Sequence, residues 1–409
     1  MKIYPILVGI TISLLLLLPA AASENTLGIF GNANGDDTID MQDIEYTGSI
    51  ILRLDDQTQF ADAKYDGGID ILDLTQTELI ICGKEKELTL IDSANRTVTV
   101  NKPVERIVSL SSDSAEAIKV VGAKENIVGR SMHVNDEAFF PDLIELPSVG
   151  SATKPDCEKI LELQPDIVIT YALWKDPVNE LEEKLKPANI TVVCLDCYKP
   201  FELEKDVKRL GYILDKRDRA EEFIDFYQSY LITISERVEG LSEEDKPRVY
   251  SEGYGDYTAH GIDSGGHQMI VMAGGINIAA DLPKGAKIDP EWIIEQNPDV
   301  ITKAVRSSVS CGYDVDDPSE VIALREVVVS RPGFNAIVAV ENDRVCMIAP
   351  YINTQPAFFV GITYRAKWFH PELFEDLDPQ AIHQEYLTEF QGLDIDLNTQ
   401  GVFVYPEPE

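Results

Sequence analysis

Short, largely apolar runs alternate along this chain with longer stretches whose apolar residues recur every three or four positions. The runs at 106–110, 167–171, 191–194, 248–251, 300–303 and 345–348 have the length and β-branched content of buried strands. A polar turn at 111–114 follows the first of them and opens a helix that runs to Val121 and is closed by Gly122. Ahead of these, 88–92 and 97–100 alternate as a short hairpin would. Strands alternating with helical segments predict an α/β architecture with mostly parallel sheets. The longest helical pattern, roughly 218–238, places Phe223, Phe226, Tyr227, Tyr230, Leu231 and Ile234 at helical spacing.

Two internal similarities organise this pattern. Residues 156–170 match 289–302: each begins with an Asp at the N-cap position, has a Glu in the first helical turn, and passes through a Pro-Asp turn into a buried strand. A looser match pairs 118–127 with 270–278. The repeated helix–turn–strand step predicts two similar lobes, and the long helical pattern between them predicts a stiff connection.

A different duplication occupies 28–82. Asn32, Asn34, Asp36, Ile39, Asp40 and Asp43 recur thirty positions later as Asp62, Lys64, Asp66, Ile69, Asp70 and Asp73, and each copy runs into an apolar, helix-like segment. Oxygen donors at positions 1, 3, 5 and 12 of a short loop suit a hard cation such as Ca²⁺. The candidate ligands are Asn32, Asn34, Asp36, Thr38 and Asp43 in loop one, and Asp62, Asp66, Gly68 and Asp73 in loop two. Lys64 replaces an oxygen donor in loop two, and Asp37 stands where loop two has the turn glycine Gly67. Loop one is therefore expected to bind Ca²⁺ and loop two to bind weakly or not at all.

Composition narrows the function classes. The 409 residues allow two or three domains, and 71 Asp plus Glu against 35 Lys plus Arg give a net charge of −36. Such an acidic chain lacks the basic surface that nucleic-acid phosphates require, so no nucleic-acid partner is expected. Lys2, the apolar run through the leucines at 14–18, and the small residues at 19–23 read as an export signal over 1–23. The expected location is extracytoplasmic and cell-surface associated, with retention of that segment as an anchor as an alternative. No Cys lies near the cleavage region, which argues against lipid anchoring there. Six Cys in an exported chain permit disulfides, and Cys194-Leu-Asp-Cys197 reads as a disulfide contributor or a packed thiol pair before a redox or metal site. The five His are scattered, and no HExxH, GxSxG or P-loop pattern appears, so an enzyme is not expected.

Two resemblances extend this reading. The duplicated 28–84 segment resembles a type I dockerin, a module of two EF-hand-like loops whose helices bind a cohesin domain. That resemblance implies a cohesin-domain partner and tethering at the cell surface. Residues 88–380 resemble the ABC-importer binding proteins for ferric siderophores, haem and cobalamin. The motifs that carry the likeness are Arg106-Ile-Val-Ser-Leu110, 163–169, 272–277, 297–301, 339–345 and 366–374.

The implied fold class is α/β: two Rossmann-like lobes joined by one long helix, preceded by a small all-α module of two EF-hand-like loops. The implied domains are an N-terminal lobe (88–200), a bridging helical segment (201–240), a C-terminal lobe (246–380) and an acidic tail (381–409). The resemblance also implies a metal chelate carried in the interlobe cleft to an ABC permease dimer with its ATPase. A ferric siderophore-type complex comes first, then a corrinoid, then haem. A dockerin-tethered surface-assembly component is the alternative from another class. In this family one Glu on each lobe meets the permease, and the matching positions are Glu158 and Glu291. Ligand contacts are expected in turns after strand ends: Ser111, Ser112, Arg130, His133, Tyr171 and Trp174 in the first lobe, and Tyr254, Tyr257, His260, Arg306 and Tyr351 in the second.

Overall fold

A computed structural model describes residues 27–408. The export-signal segment lies outside the described residues. Contacts divide the chain into a unit ending at Ile81 and a unit from Cys82 onward.

Among the described residues the smaller unit has two α-helices, Met41–Ile51 and Ile71–Ile81. Both are started by the same device. The amides of Asp40 and Asp70 donate to Oδ2 of Asp43 and Asp73, each at 2.8 Å, and the amides of Asn34 and Lys64 donate to the corresponding Oδ1. A carboxylate in the first turn thus fixes its loop onto its helix, which satisfies amides that would otherwise be orphaned at a helix start. Ala33, Ile50 and Ala61 form the small core, with Tyr46 and Ile69 against it. In loop one the left-handed residue is Gly35 (φ 76°), and Asp37 stays out of that region; in loop two Tyr65 (φ 55°) and Gly67 (φ 91°) both adopt it. Loop one therefore turns without a glycine at the position of Asp37, because Gly35 supplies the positive φ that an L side chain resists.

The larger unit opens with the expected hairpin, Glu87–Ile91 paired with Thr97–Asn101. The first lobe's sheet contains β1 (Ile107–Ser109), β2 (Ile127–Arg130), β3 (Ile167–Thr170) and β4 (Thr191–Cys194), all parallel, in the order 2-1-3-4. The second lobe's sheet contains β5 (Arg248–Glu252), β6 (Ile276–Asn277), β7 (Val300–Ala304) and β8 (Val345–Ile348). These are parallel and arranged in the same relative order, with β9 (Val404–Tyr405) added antiparallel at the edge. The repeated step is reproduced in atomic detail. Helices Cys157–Leu163 and Pro290–Gln296 are capped by Asp156 and Asp289 and end on left-handed Gln164 and Asn297. Asp166 and Asp299 then accept from the amides of Arg106 and Arg248, each at 2.8 Å. The Pro-Asp turn thus ties the incoming strand to its neighbour in both lobes.

The bridging segment is two helices, Leu203–Ile213 and Arg217–Glu239. The chain turns between them at Asp215 (φ 55°). The second is the long helix that the periodicity predicts, and Phe223, Tyr227 and Ile234 are buried on it.

The segment after 380 is not a tail. Helix Pro379–Glu385 continues into a wider helical turn, Tyr386–Gln391, and the chain then returns to form β9. It contacts both lobes and the bridge. Tyr386 Oη donates to Glu116 Oε1 (2.5 Å) in the first lobe, Phe390 packs on Phe223 and Phe226, and His383 Nε2 meets Tyr313 Oη (2.9 Å) in the second. Tyr313 in turn stacks on Phe139 of the first lobe, with ring centroids 4.8 Å apart. Burial pushes the Glu116 carboxyl up to about 8, so a neutral acid beside the Tyr386 hydroxyl suits that dry contact.

All six cysteines are free thiols. Cys194 and Cys197 are both buried, and burial pushes the Cys194 thiol up to about 12. They pack rather than react. Among the described residues no helix is long and apolar enough to cross a membrane.

Candidate functional site

Each lobe's sheet ends in turns at the carboxyl ends of its strands, where open α/β sheets place their ligands. Four of these turns meet around one cavity of about 280 Å³. The turn after β3 contributes Tyr171, Leu173 and Trp174, and the turn after β4 contributes Tyr198. From the second lobe come Tyr254 after β5, Thr354 and Gln355 after β8, and Lys284. Larger hollows of about 470 and 440 Å³ lie on the C-terminal helices and between the bridging helix and the edge strand β6, and each is lined from one side of the molecule rather than by turns of both lobes.

The walls are aromatic. Tyr171 stands edge-on to Trp174 and to Tyr198, with ring centroids 5.3 Å apart in both pairs. Leu173, Trp174 and Tyr254 are 54%, 37% and 44% exposed. Large apolar side chains left in water at a cleft mouth mark a surface that a ligand covers. Tyr171 donates to Asp113 Oδ1, and Asp113 is fully buried. Burial pushes that carboxyl up to about 7 against the pull of the Tyr171 and Ser111 hydroxyls. Gln355 Nε2 donates to Ser112 Oγ across the lobes (3.2 Å), and Tyr254 Oη meets Thr354 Oγ1 (3.2 Å).

A buried charge cluster positions the Tyr254 turn. Glu252 accepts from Arg331 at 2.7 and 2.9 Å and pairs with Lys303 at 3.0 Å. Lys303 Nζ also donates to the carbonyls of Gly253 (2.5 Å), Tyr254 and Gly255.

Of the eleven side chains expected at the ligand, Tyr171, Trp174 and Tyr254 line the cavity. Ser111 caps the helix Ser112–Val120 from a buried position, and Ser112 reaches the cavity only through Gln355. Arg130 donates to the carbonyl of Ile144 (2.7 and 3.1 Å), so its guanidinium serves a loop. His133 is exposed and Arg306 half-buried, and neither is among the lining residues. Tyr257 is half-buried and packs against the second lobe's core under the Arg331 guanidinium. The His260 ring bonds Ser251 Oγ (2.8 Å), and burial pushes it down to about 4, so it is neutral. Tyr351 donates to Asp136 Oδ2 (2.7 Å), which links the lobes beside the Phe139–Tyr313 stack. Five lining residues fall outside the sequence expectation: Leu173, Tyr198, Lys284, Thr354 and Gln355. The signal for Tyr198 is its place in the turn after β4, which the CxxC spacing beside it masks as thiol chemistry.

Glu158 and Glu291 are both exposed in the first turn of the matched helices. In the small unit, among the described residues no three His, Cys, Asp or Glu side chains are grouped to hold a metal ion, so the Ca²⁺ expectation for loop one rests on its mixed amide and carboxylate donors. Asn32 is fully buried with its Oδ1 unpartnered, and burial pushes the Asp43 carboxyl up to about 6. A buried amide oxygen without a donor and a desolvated carboxylate are what a bound cation would satisfy. Both loops bond part of their donor sets: Asn34 Oδ1 accepts from the Asp36 amide (3.0 Å) and Asp36 Oδ1 from the Thr38 amide (2.9 Å) in loop one, and Asp62 accepts from the amides of Asp66 and Gly67 (3.0 and 2.9 Å) in loop two, which differs in carrying the positive charge of Lys64.

A family model described as periplasmic binding protein matches residues 107–351. Among curated proteins, the chain is 25% identical to an uncharacterized ABC transporter substrate-binding lipoprotein, YvrC, of Bacillus subtilis, over 71% of this chain and 87% of that protein. It is 24% identical to a cobalamin-binding protein of Halobacterium salinarum, over 64% of this chain and 70% of that protein. Among solved structures, the TroA-like periplasmic binding protein FepB from Veillonella parvula superposes with a TM-score of 0.65 at 25% identity, covering 77% of this chain and 98% of that one.

Proposed function

Because the chain belongs to the periplasmic binding protein family, whose members bind solutes and are not enzymes, we propose that it is the exported substrate-binding protein of an ABC importer. It captures a metal chelate, a ferric siderophore-type complex in the first instance, between its lobes. It then delivers that chelate to the permease dimer. The observation that carries this reading is the aromatic cavity built by strand-end turns from two lobes whose four parallel strands share one order. Glu158 and Glu291, displayed at equivalent helix starts, are the permease contacts. Replacing both with Ala is expected to abolish chelate uptake by cells that depend on this protein while leaving the Kd for the chelate unchanged. Wild-type uptake by the double variant would remove the docking role.

The small unit is a dockerin-like module in this reading. Loop one holds Ca²⁺ through Asn32, Asn34, Asp36, Thr38 and Asp43. Exposed apolar residues at duplicated positions, Met41 (60%) and Ile71 (70%), face solvent as a protein-binding surface would. A cohesin domain is the partner of that surface. Asp43→Ala is expected to remove a Ca²⁺-dependent rise in the module's melting temperature and Ca²⁺-dependent cohesin capture, whereas Asp62→Ala is expected to leave both. A chain whose melting and cohesin binding ignore Ca²⁺ would exclude the module's role.

A further inference from the structure

The cavity lining holds buried polar atoms that lack a hydrogen-bond partner. Gln355 fixes its amide by donating Nε2 to Ser112, which turns Oε1 away from that bond, and Oε1 is buried without a partner. The Tyr198 hydroxyl, which can donate as well as accept, is likewise buried and unpartnered. Tyr171, in the same lining, donates its proton to Asp113, so that proton is not offered to a ligand. Buried polar atoms without partners are costly, and a ligand that supplies the missing partners recovers that cost.

The charge of the site points the same way. Among the described residues Lys284 is the one cationic side chain in the lining, and it is exposed. The two arginines expected to pair with an anionic chelate are elsewhere: Arg130 is tied to Ile144 and Arg306 is outside the lining. The chain as a whole carries −36, a field that repels polyanions before they arrive. The cavity, at about 280 Å³, takes the inner part of a chelate, while the exposed faces of Leu173, Trp174 and Tyr254 take its apolar flank.

Resting on the solute-binding reading above, we infer that the cleft selects chelates of zero net charge that turn an N–H or O–H donor toward Gln355 and a polar group toward the Tyr198 hydroxyl, and that it discriminates against polyanionic chelates and oxyanions. Two sources share this chemistry, an uncharged ferric trihydroxamate and an amide-bearing corrinoid.

The test is a titration of the intact protein with four probes: an uncharged ferric trihydroxamate, cobalamin, a triply negative ferric tricatecholate, and molybdate. At least one of the first two is expected to bind about tenfold or more tighter than either anion, and which one does so identifies the source. Tyr198→Phe, which keeps shape and removes the hydroxyl, is expected to weaken the preferred probe about fivefold or more, as loss of one buried hydrogen bond does. Gln355→Met is the second variant, and unchanged melting curves confirm that both fold. Tighter binding of the tricatecholate or molybdate would overturn the selectivity while leaving the solute-binding reading intact. The same holds if both folded variants bind the preferred probe as the parent does. Failure of all four probes to bind would overturn both.

Discussion

Ending the chain at Asp378 is expected to leave a protein that does not fold. The removed segment carries Tyr386, Leu387, Phe390, Phe403 and Val404, all buried. At about 1.5–3 kcal/mol for each large apolar side chain, these five alone contribute roughly 7–15 kcal/mol, as much as the whole stability of an ordinary domain. The loss is also topological. Without Tyr386 the buried Glu116 loses its hydroxyl partner, and without β9 the edge of the second sheet, Met347 and Ile348, is unpaired. Circular dichroism and a thermal melt of the truncated chain check this. A cooperative transition near that of the full chain would show the segment to be dispensable.

The second large effect is expected from Glu252→Ala. Glu252, Lys303 and Arg331 are 1%, 0% and 7% exposed, and removing the carboxylate leaves two cations buried without it. Breaking a buried pair in this way costs about 3–5 kcal/mol. The consequence reaches the cleft, because the same Lys303 holds the carbonyls of residues 253–255 and so places Tyr254. A lower melting temperature and at least roughly tenfold weaker chelate binding are expected together. A variant as stable as the parent would mean that the cluster contributes little, and a destabilised variant with parental affinity would separate it from the site.

Much of this architecture is legible in the amino-acid sequence. The apolar runs form strands because β-branched residues in short runs bounded by polar turns suit a buried parallel sheet. The Asp-capped helices and Pro-Asp turns at 156–170 and 289–302 stand in the fold as capped helices and strand ties. The C-terminal segment is illegible for a physical reason. Its buried residues serve three separate surfaces, and Tyr386, Leu387 and Phe390 sit on a widened helical turn whose spacing departs from that of an α-helix. The site is half legible. Tyr171, Trp174 and Tyr254 closely follow apolar runs, but Gln355 is displaced beyond a short helical turn, Pro350–Ile352. Arg130 and His260 match the chemistry of a ligand site, yet their side chains are engaged with Ile144 and Ser251, which local sequence does not reveal.

Trp174 offers the most direct measurement, because it stands at the cleft mouth. Trp292 packs against the second lobe's core, and Trp368 is buried with its Nε1 bonded to Pro406. Titrating the signal-free protein with metal chelates and following intrinsic fluorescence is expected to give a saturable change at or below about micromolar concentration. Trp174→Phe is expected to abolish that change while calorimetry still detects binding. Silence toward every chelate, or a signal that survives the substitution undiminished, would contradict a chelate seated between the lobes.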